Sequence, residues 1–131
     1  EKRWEAVKAG GYEIINDSYN ANPESMRAFL DTIFELYNDY VIILGDMGEL
    51  GENEVQYHKE LGEYIYSKNP NVKLLTIGNL SKNFGGKNFE NIENAVEYIK
   101  TNISTKSKLI LRDIDLLKKR VELCYPFRIK H

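Results

Sequence analysis

Asp17, Tyr19, Asn20 and Asn22 bring a carboxylate, a phenol and two amides together within one short polar stretch. Groups of these types at this density can grip a hydroxyl-rich or anionic ligand, and free backbone amides at a following helix start would suit the same ligand. A second stretch, Gly45-Asp46-Met47-Gly48-Glu49-Leu50-Gly51, sets the carboxylates of Asp46 and Glu49 in a glycine-rich turn. Spacing leaves two uses open for Asp46, contacting a ligand or capping the turn at Gly48. His58 lies on an apolar stripe, where a neutral imidazole is expected to pack and hydrogen-bond rather than catalyse. Arg112-Asp113 closes an apolar run and adds a cation beside a carboxylate. Trp4 and most of the tyrosines are expected to cover core edges, with Tyr19 the exception that faces a ligand.

The elements that must position these groups are legible from periodicity. Trp4-Glu5-Ala6-Val7 and Tyr12-Glu13-Ile14-Ile15 flank a glycine turn and read as an antiparallel hairpin. Met26, Phe29, Leu30, Ile33, Phe34 and Tyr37 recur at helical spacing, with Asn22 placed to cap that helix and Pro23 at its first position. The runs Val41-Ile42-Ile43-Leu44, Leu74-Leu75-Thr76-Ile77 and Leu109-Ile110-Leu111 do not alternate, as expected of three parallel strands covered on both faces. Val55, His58, Leu61, Gly62 and Ile65 mark a second helix, and Ile92, Ala95, Val96, Ile99 and Ile103 a third. Leu116, Leu117 and Val121 suggest a last one. The segment from Asn79 to Asn91 reads as an irregular surface connection. Strands alternating with helices predict an α/β fold: a Rossmann-like, open, mostly parallel sheet with helices on both faces and an antiparallel N-terminal edge hairpin. Asp17, Gly45-Asp46, Gly78 and Arg112-Asp113 then share the carboxyl edge of the sheet, where ligands bind in such folds.

Composition narrows the function. The 131 residues fit one domain, 1–131, and a net charge of -2 gives no basic field for nucleic acid, Lys118-Lys119-Arg120 reading as a solvated face. One cysteine, Cys124, cannot form an internal disulfide, and two histidines give no zinc-ligand spacing, so the expected setting is the cytoplasm and no metal site is expected. No apolar run reaches membrane-spanning length. No phosphate-cradling Gly-x-x-x-x-Gly-Lys-Ser/Thr loop and no Gly-x-Gly-x-x-Gly appears, so the topology does not imply dinucleotide binding. The opening Glu1-Lys2-Arg3-Trp4 is neither an initiator methionine nor a signal peptide, and the chain is expected to be a fragment of a larger one.

Asp17-Ser18-Tyr19-Asn20-Ala21-Asn22-Pro23-x-Ser25-Met26 resembles the signature that opens the C-terminal domain of the Mur ligases. Gly45-Asp46-Met47-Gly48-Glu49-Leu50-Gly51, then His58 and Gly62, is similar to that family's Gly-Asp-Met-x-Glu-Leu-Gly and His-x-x-x-Gly, in the same order and spacing. The branch it resembles most joins D-alanyl-D-alanine to UDP-N-acetylmuramoyl-tripeptide. The resemblance implies an ATP-dependent amide-bond ligase whose ATP and Mg2+ are held mainly by a central domain absent from this chain. This fragment is therefore expected to hold no catalytic residue and to be inactive alone, a monomer that closes over the site in the complete enzyme. By resemblance Arg3, Asp17, Tyr19 and Asn20 meet the nucleotide, while Asn22, Asp46, Glu49 and Arg112 serve the incoming substrate. The family's Lys-Gly-Ser-Arg after the last apolar strand is Arg112-Asp113-Ile114-Asp115 here, which keeps the first charge and changes the rest. Two alternatives remain: another ligase of the superfamily, of the folylpolyglutamate synthase type, and a phosphoryl-receiver module using Asp17, Asp46, Thr76 and Arg112.

Overall fold

The computed structural model describes residues 4–17 and 23–112. Its strands are β1 (Trp4–Ala9), β2 (Tyr12–Asp17), β3 (Tyr40–Gly45), β4 (Lys73–Ile77), β5 (Lys87–Phe89) and β6 (Lys108–Arg112), joined into one sheet of order β1-β2-β6-β3-β4-β5. The helices are α1 (Pro23–Leu36), α2 (Glu54–Lys68) and α3 (Ile92–Asn102). β1 and β2 pair antiparallel around Gly10 and Gly11, both at positive φ, and every other pairing is parallel.

The absence of alternation in the central runs follows from burial on both faces. Ile15, Ile110, Ile42, Leu44 and Leu74 pack under α1 and α2, whose Met26, Phe29, Leu30, Ile33, Leu61 and Ile65 complete that layer. Ile14, Leu109, Leu111, Val41, Ile43 and Leu75 point the other way, onto Val96 and Ile99 of α3 and Ile103 just past its end. Tyr12 joins this second layer and donates from its hydroxyl to the carbonyls of Ile103 at 2.7 Å and Ile99 at 3.1 Å. Burial of that phenol raises its pKa above the ordinary value. Asn91 caps α3, its Oδ1 accepting from the Asn94 amide at 2.9 Å.

The expected α/β architecture is present, with α1 and α2 on one face and α3 on the other. One expectation is corrected. The stretch from Asn79 to Asn91 is not merely irregular: it holds a short 3-10 turn, Ser81–Phe84, and the sixth strand β5, parallel to β4. The strand escapes a periodicity reading because it is three residues long and only Phe89 is even partly buried. Pro23 opens α1 as expected; Asn22, expected as its cap, and the helix expected at Leu116 to Val121 lie outside the described residues. Among the described residues no helix is long and apolar enough to cross a membrane.

Candidate functional site

Parallel pairing brings the carboxyl ends of β2, β6, β3 and β4 to one edge. Asp17 is the register partner of Arg112, which in turn lies beside Leu44, and Gly45 faces Ile77. Asp17 and Arg112 continue the rows of Ile15 and Ile110 by two positions, so their side chains point to the α1 face. There the Arg112 guanidinium forms an ion pair with the Asp17 carboxylate and donates from Nη2 to the Ser25 hydroxyl at 3.0 Å, with the Phe29 ring centroid 5.8 Å away. Arg112 is 1% exposed and Asp17 5%. A charged pair that deep must be held by short, well-placed contacts, because both ions have left water. It ties the last strand to the end of β2 and the first turn of α1.

The β3 end is built differently. Asp46 is exposed, and its Oδ1 accepts from the Ser81 amide at 2.7 Å, so the turn it caps belongs to the connection after β4. Gly78 makes that reach possible. At φ +119 its backbone is one that L side chains rarely adopt, and a Cβ there would lie 2.6 Å from the Asp46 carboxylate oxygen and push that carboxylate aside. Asn88 of β5 donates from Nδ2 to Thr76 Oγ1 at 2.9 Å and to the Gly78 carbonyl at 3.0 Å, holding the same connection from the other side. Glu49 is exposed and adopts φ 59, the left-handed region that L-residues enter at a cost.

His58 is fully buried on α2. The Met47 amide donates to its Nε2 at 3.0 Å, which places the ring proton on Nδ1, 2.6 Å from the Glu54 carbonyl. Its ring meets Phe84 with centroids 4.9 Å apart, and one turn along, Gly62 lets the same segment close in: a Cβ there would lie 2.0 Å from the Phe84 carbonyl oxygen. The His-x-x-x-Gly spacing thus makes one helical face that seats the 3-10 turn. His58 packs and hydrogen-bonds, as its position on the stripe indicated.

A pocket of about 270 Å³ opens beside this network, lined by Gly78, Asn79, Lys82, Asn88 and Glu90. It sits past the carboxyl ends of β4 and β5, where one strand leads to the α2 face and the other to α3. Its amides and opposite charges suit a small polar ligand with both signs of charge. None of these residues was singled out from the sequence except Gly78; the signal available was the Gly, Asn and Lys content of the segment.

Of the expected site residues, Asp17, Asp46, Glu49 and Arg112 are described, at the ends of β2, β3 and β6; Arg3, Tyr19, Asn20 and Asn22 lie outside the described residues, as do Asp113, Ile114 and Asp115. The four described fall into two groups, the buried Asp17–Arg112 pair and the exposed Asp46 and Glu49 beyond β3. Among the described residues no three His, Cys, Asp or Glu side chains gather as a metal site.

Comparison with known proteins agrees with the fold. A family model described as the Mur ligase, glutamate ligase domain matches residues 2–121. The UDP-N-acetylmuramoyl-tripeptide–D-alanyl-D-alanine ligase of Buchnera aphidicola is 34% identical over 112 residues, covering 81% of this chain and 24% of that protein. The enzyme of the same name from Bacillus subtilis is 46% identical over 66 residues, covering 48% of this chain and 14% of that protein. A crystal structure of MurF from Acinetobacter baumannii superposes with a TM-score of 0.75 at 26% identity, over 94% of this chain and 30% of that one. MurF ligase from Thermotoga maritima, solved in complex with ADP, gives a TM-score of 0.73 at 18% identity, over 98% of this chain and 31% of that one, a likeness of fold. The chain spans about a quarter of the length of the curated relatives it matches.

Proposed function

We propose that this chain, which belongs to the Mur ligase glutamate ligase domain family, is the closing domain of an ATP-dependent ligase that joins D-alanyl-D-alanine to UDP-N-acetylmuramoyl-tripeptide during peptidoglycan precursor synthesis. In this reading the complete enzyme is a cytoplasmic monomer. ATP phosphorylates the terminal carboxylate of the muramoyl peptide, releasing ADP, and the dipeptide amine attacks the acyl phosphate, expelling phosphate as the amide bond forms.

The observation that supports the reading is that the described parts of both family motifs, Asp17 and Gly45-Asp46, end at the carboxyl edge of the sheet, and that Asp46 bonds to the segment lining a polar pocket of dipeptide scale. Lys82 and Glu90 offer opposite charges to the carboxylate and ammonium of an incoming zwitterion, while Asn79 and Asn88 offer amides. By the family resemblance Asn22, Asp46, Glu49 and Arg112 also serve the incoming substrate; Asp46 reaches the pocket's segment through its hydrogen bond with the Ser81 amide. Arg3, Asp17, Tyr19 and Asn20 belong to the nucleotide side. The triphosphate and Mg2+ are not assigned to this chain: its sequence has no phosphate-cradling loop, and its described carboxylates do not gather as metal ligands. Other domains of the ligase would hold both. What this chain contributes is position and fixed charge, the main means of accelerating phosphoryl and acyl transfer of this kind.

The test is amine choice by the complete ligase. ADP release that requires UDP-N-acetylmuramoyl-tripeptide and D-alanyl-D-alanine together is the expected result. ADP release with glutamate and a folate acceptor instead would transfer the chain to the folylpolyglutamate type of ligase within the superfamily.

A further inference from the structure

His58 is buried and titratable, and the ligation chemistry gives it no proton to move. Its contacts form a closed circuit through the site. Nε2 holds the Met47 amide, the neighbour of Asp46, at 3.0 Å. The ring holds Phe84, the last residue of the 3-10 turn, at 4.9 Å between centroids. The first residue of that turn, Ser81, donates its amide to Asp46 at 2.7 Å, closing the loop. Lys82 lies inside the same turn and lines the pocket.

We propose that His58 is a positioning residue for the incoming amine: one imidazole fixes the Asp46–Glu49 loop through Met47 and the Lys82-bearing turn through Phe84, and so sets where Lys82 stands in the pocket. The inference rests on the reading of that pocket as the dipeptide site. Two features distinguish it from plain core packing. The acceptor atom is aimed at a backbone amide in the motif loop rather than at a neighbouring side chain, and an aliphatic residue of equal bulk could not replace it. The second is that both contacts end on segments that carry exposed polar groups.

Two variants of the complete ligase separate the contacts. His58→Phe keeps a ring against Phe84 and removes the acceptor; His58→Gln keeps an acceptor for Met47 and removes the ring. His58→Phe is expected to raise KM for D-alanyl-D-alanine about tenfold, the loss of about one hydrogen bond, while KM for ATP stays within about twofold. His58→Gln is expected to recover most of that KM. In the same proteins, amide exchange at Met47 should accelerate about tenfold in His58→Phe relative to Ile43 in β3, and less in His58→Gln. A dipeptide KM unchanged in His58→Phe, or Met47 exchange rising only in step with Ile43, overturns the proposal. If the wild-type ligase rejects D-alanyl-D-alanine, the proposed substrate fails; the exchange result then decides whether His58 holds the loop.

Discussion

The Arg112 guanidinium, which the family resemblance assigned to the incoming substrate, is turned into the α1 face against Asp17 and Ser25. A buried ion whose partner is removed keeps its desolvation cost and loses its compensation. Asp17→Leu should therefore lower stability by about 3–5 kcal/mol, and Asp17→Leu with Arg112→Met should recover most of it. Urea unfolding of the single and double variants checks this; a double variant no more stable than Asp17→Leu would mean that the pair is not the unit that matters. At this scale the sequence revealed which residues lie at strand ends but not where their side chains turn. Asp17 and Arg112 are adjacent only because β6 inserts between β2 and β3, a pairing of positions almost a hundred apart that spacing cannot encode. The same holds for Asp46, whose hydrogen bond crosses to Ser81, in a segment without helical or alternating pattern.

Elements with a long, regular apolar pattern were readable in advance, and those whose structure depends on a neighbour were not. α1, α2 and α3 and the three central strands follow from apolar spacing alone, since each buries a stripe or two faces. β5 exists because the preceding 3-10 turn is seated on α2 and brings Lys87–Phe89 alongside β4. The seat depends on Gly62, where an added methyl would meet the Phe84 backbone at 2.0 Å. Gly62→Ala should accordingly cost about 1–3 kcal/mol and be felt first in the turn. Hydrogen exchange should rise at Asn83 and Gly85, which donate to Leu80 and Lys82, before it rises in β3. Uniform acceleration across the sheet would show that the turn is not a separate unit.

At the scale of the molecule, the sheet order decides which end can work. Parallel pairing sends the carboxyl ends of five strands to the edge that carries the buried ion pair, the Asp46 bridge and the pocket. The opposite edge carries connections such as Ser104 to Ser107. In a complete ligase, charge removed at the carboxyl edge should therefore weaken binding of the incoming dipeptide, and charge removed at the amino edge should not. The most direct measurement compares Lys82→Ala, in the pocket, with Lys106→Ala, on an exposed turn at the far edge. KM for D-alanyl-D-alanine is expected to rise about tenfold for Lys82→Ala, the loss of one charge-assisted contact, and to stay within about twofold for Lys106→Ala. Equal KM values for the two variants, or a rise confined to Lys106→Ala, would contradict the assignment of the carboxyl edge as the face that receives the amine.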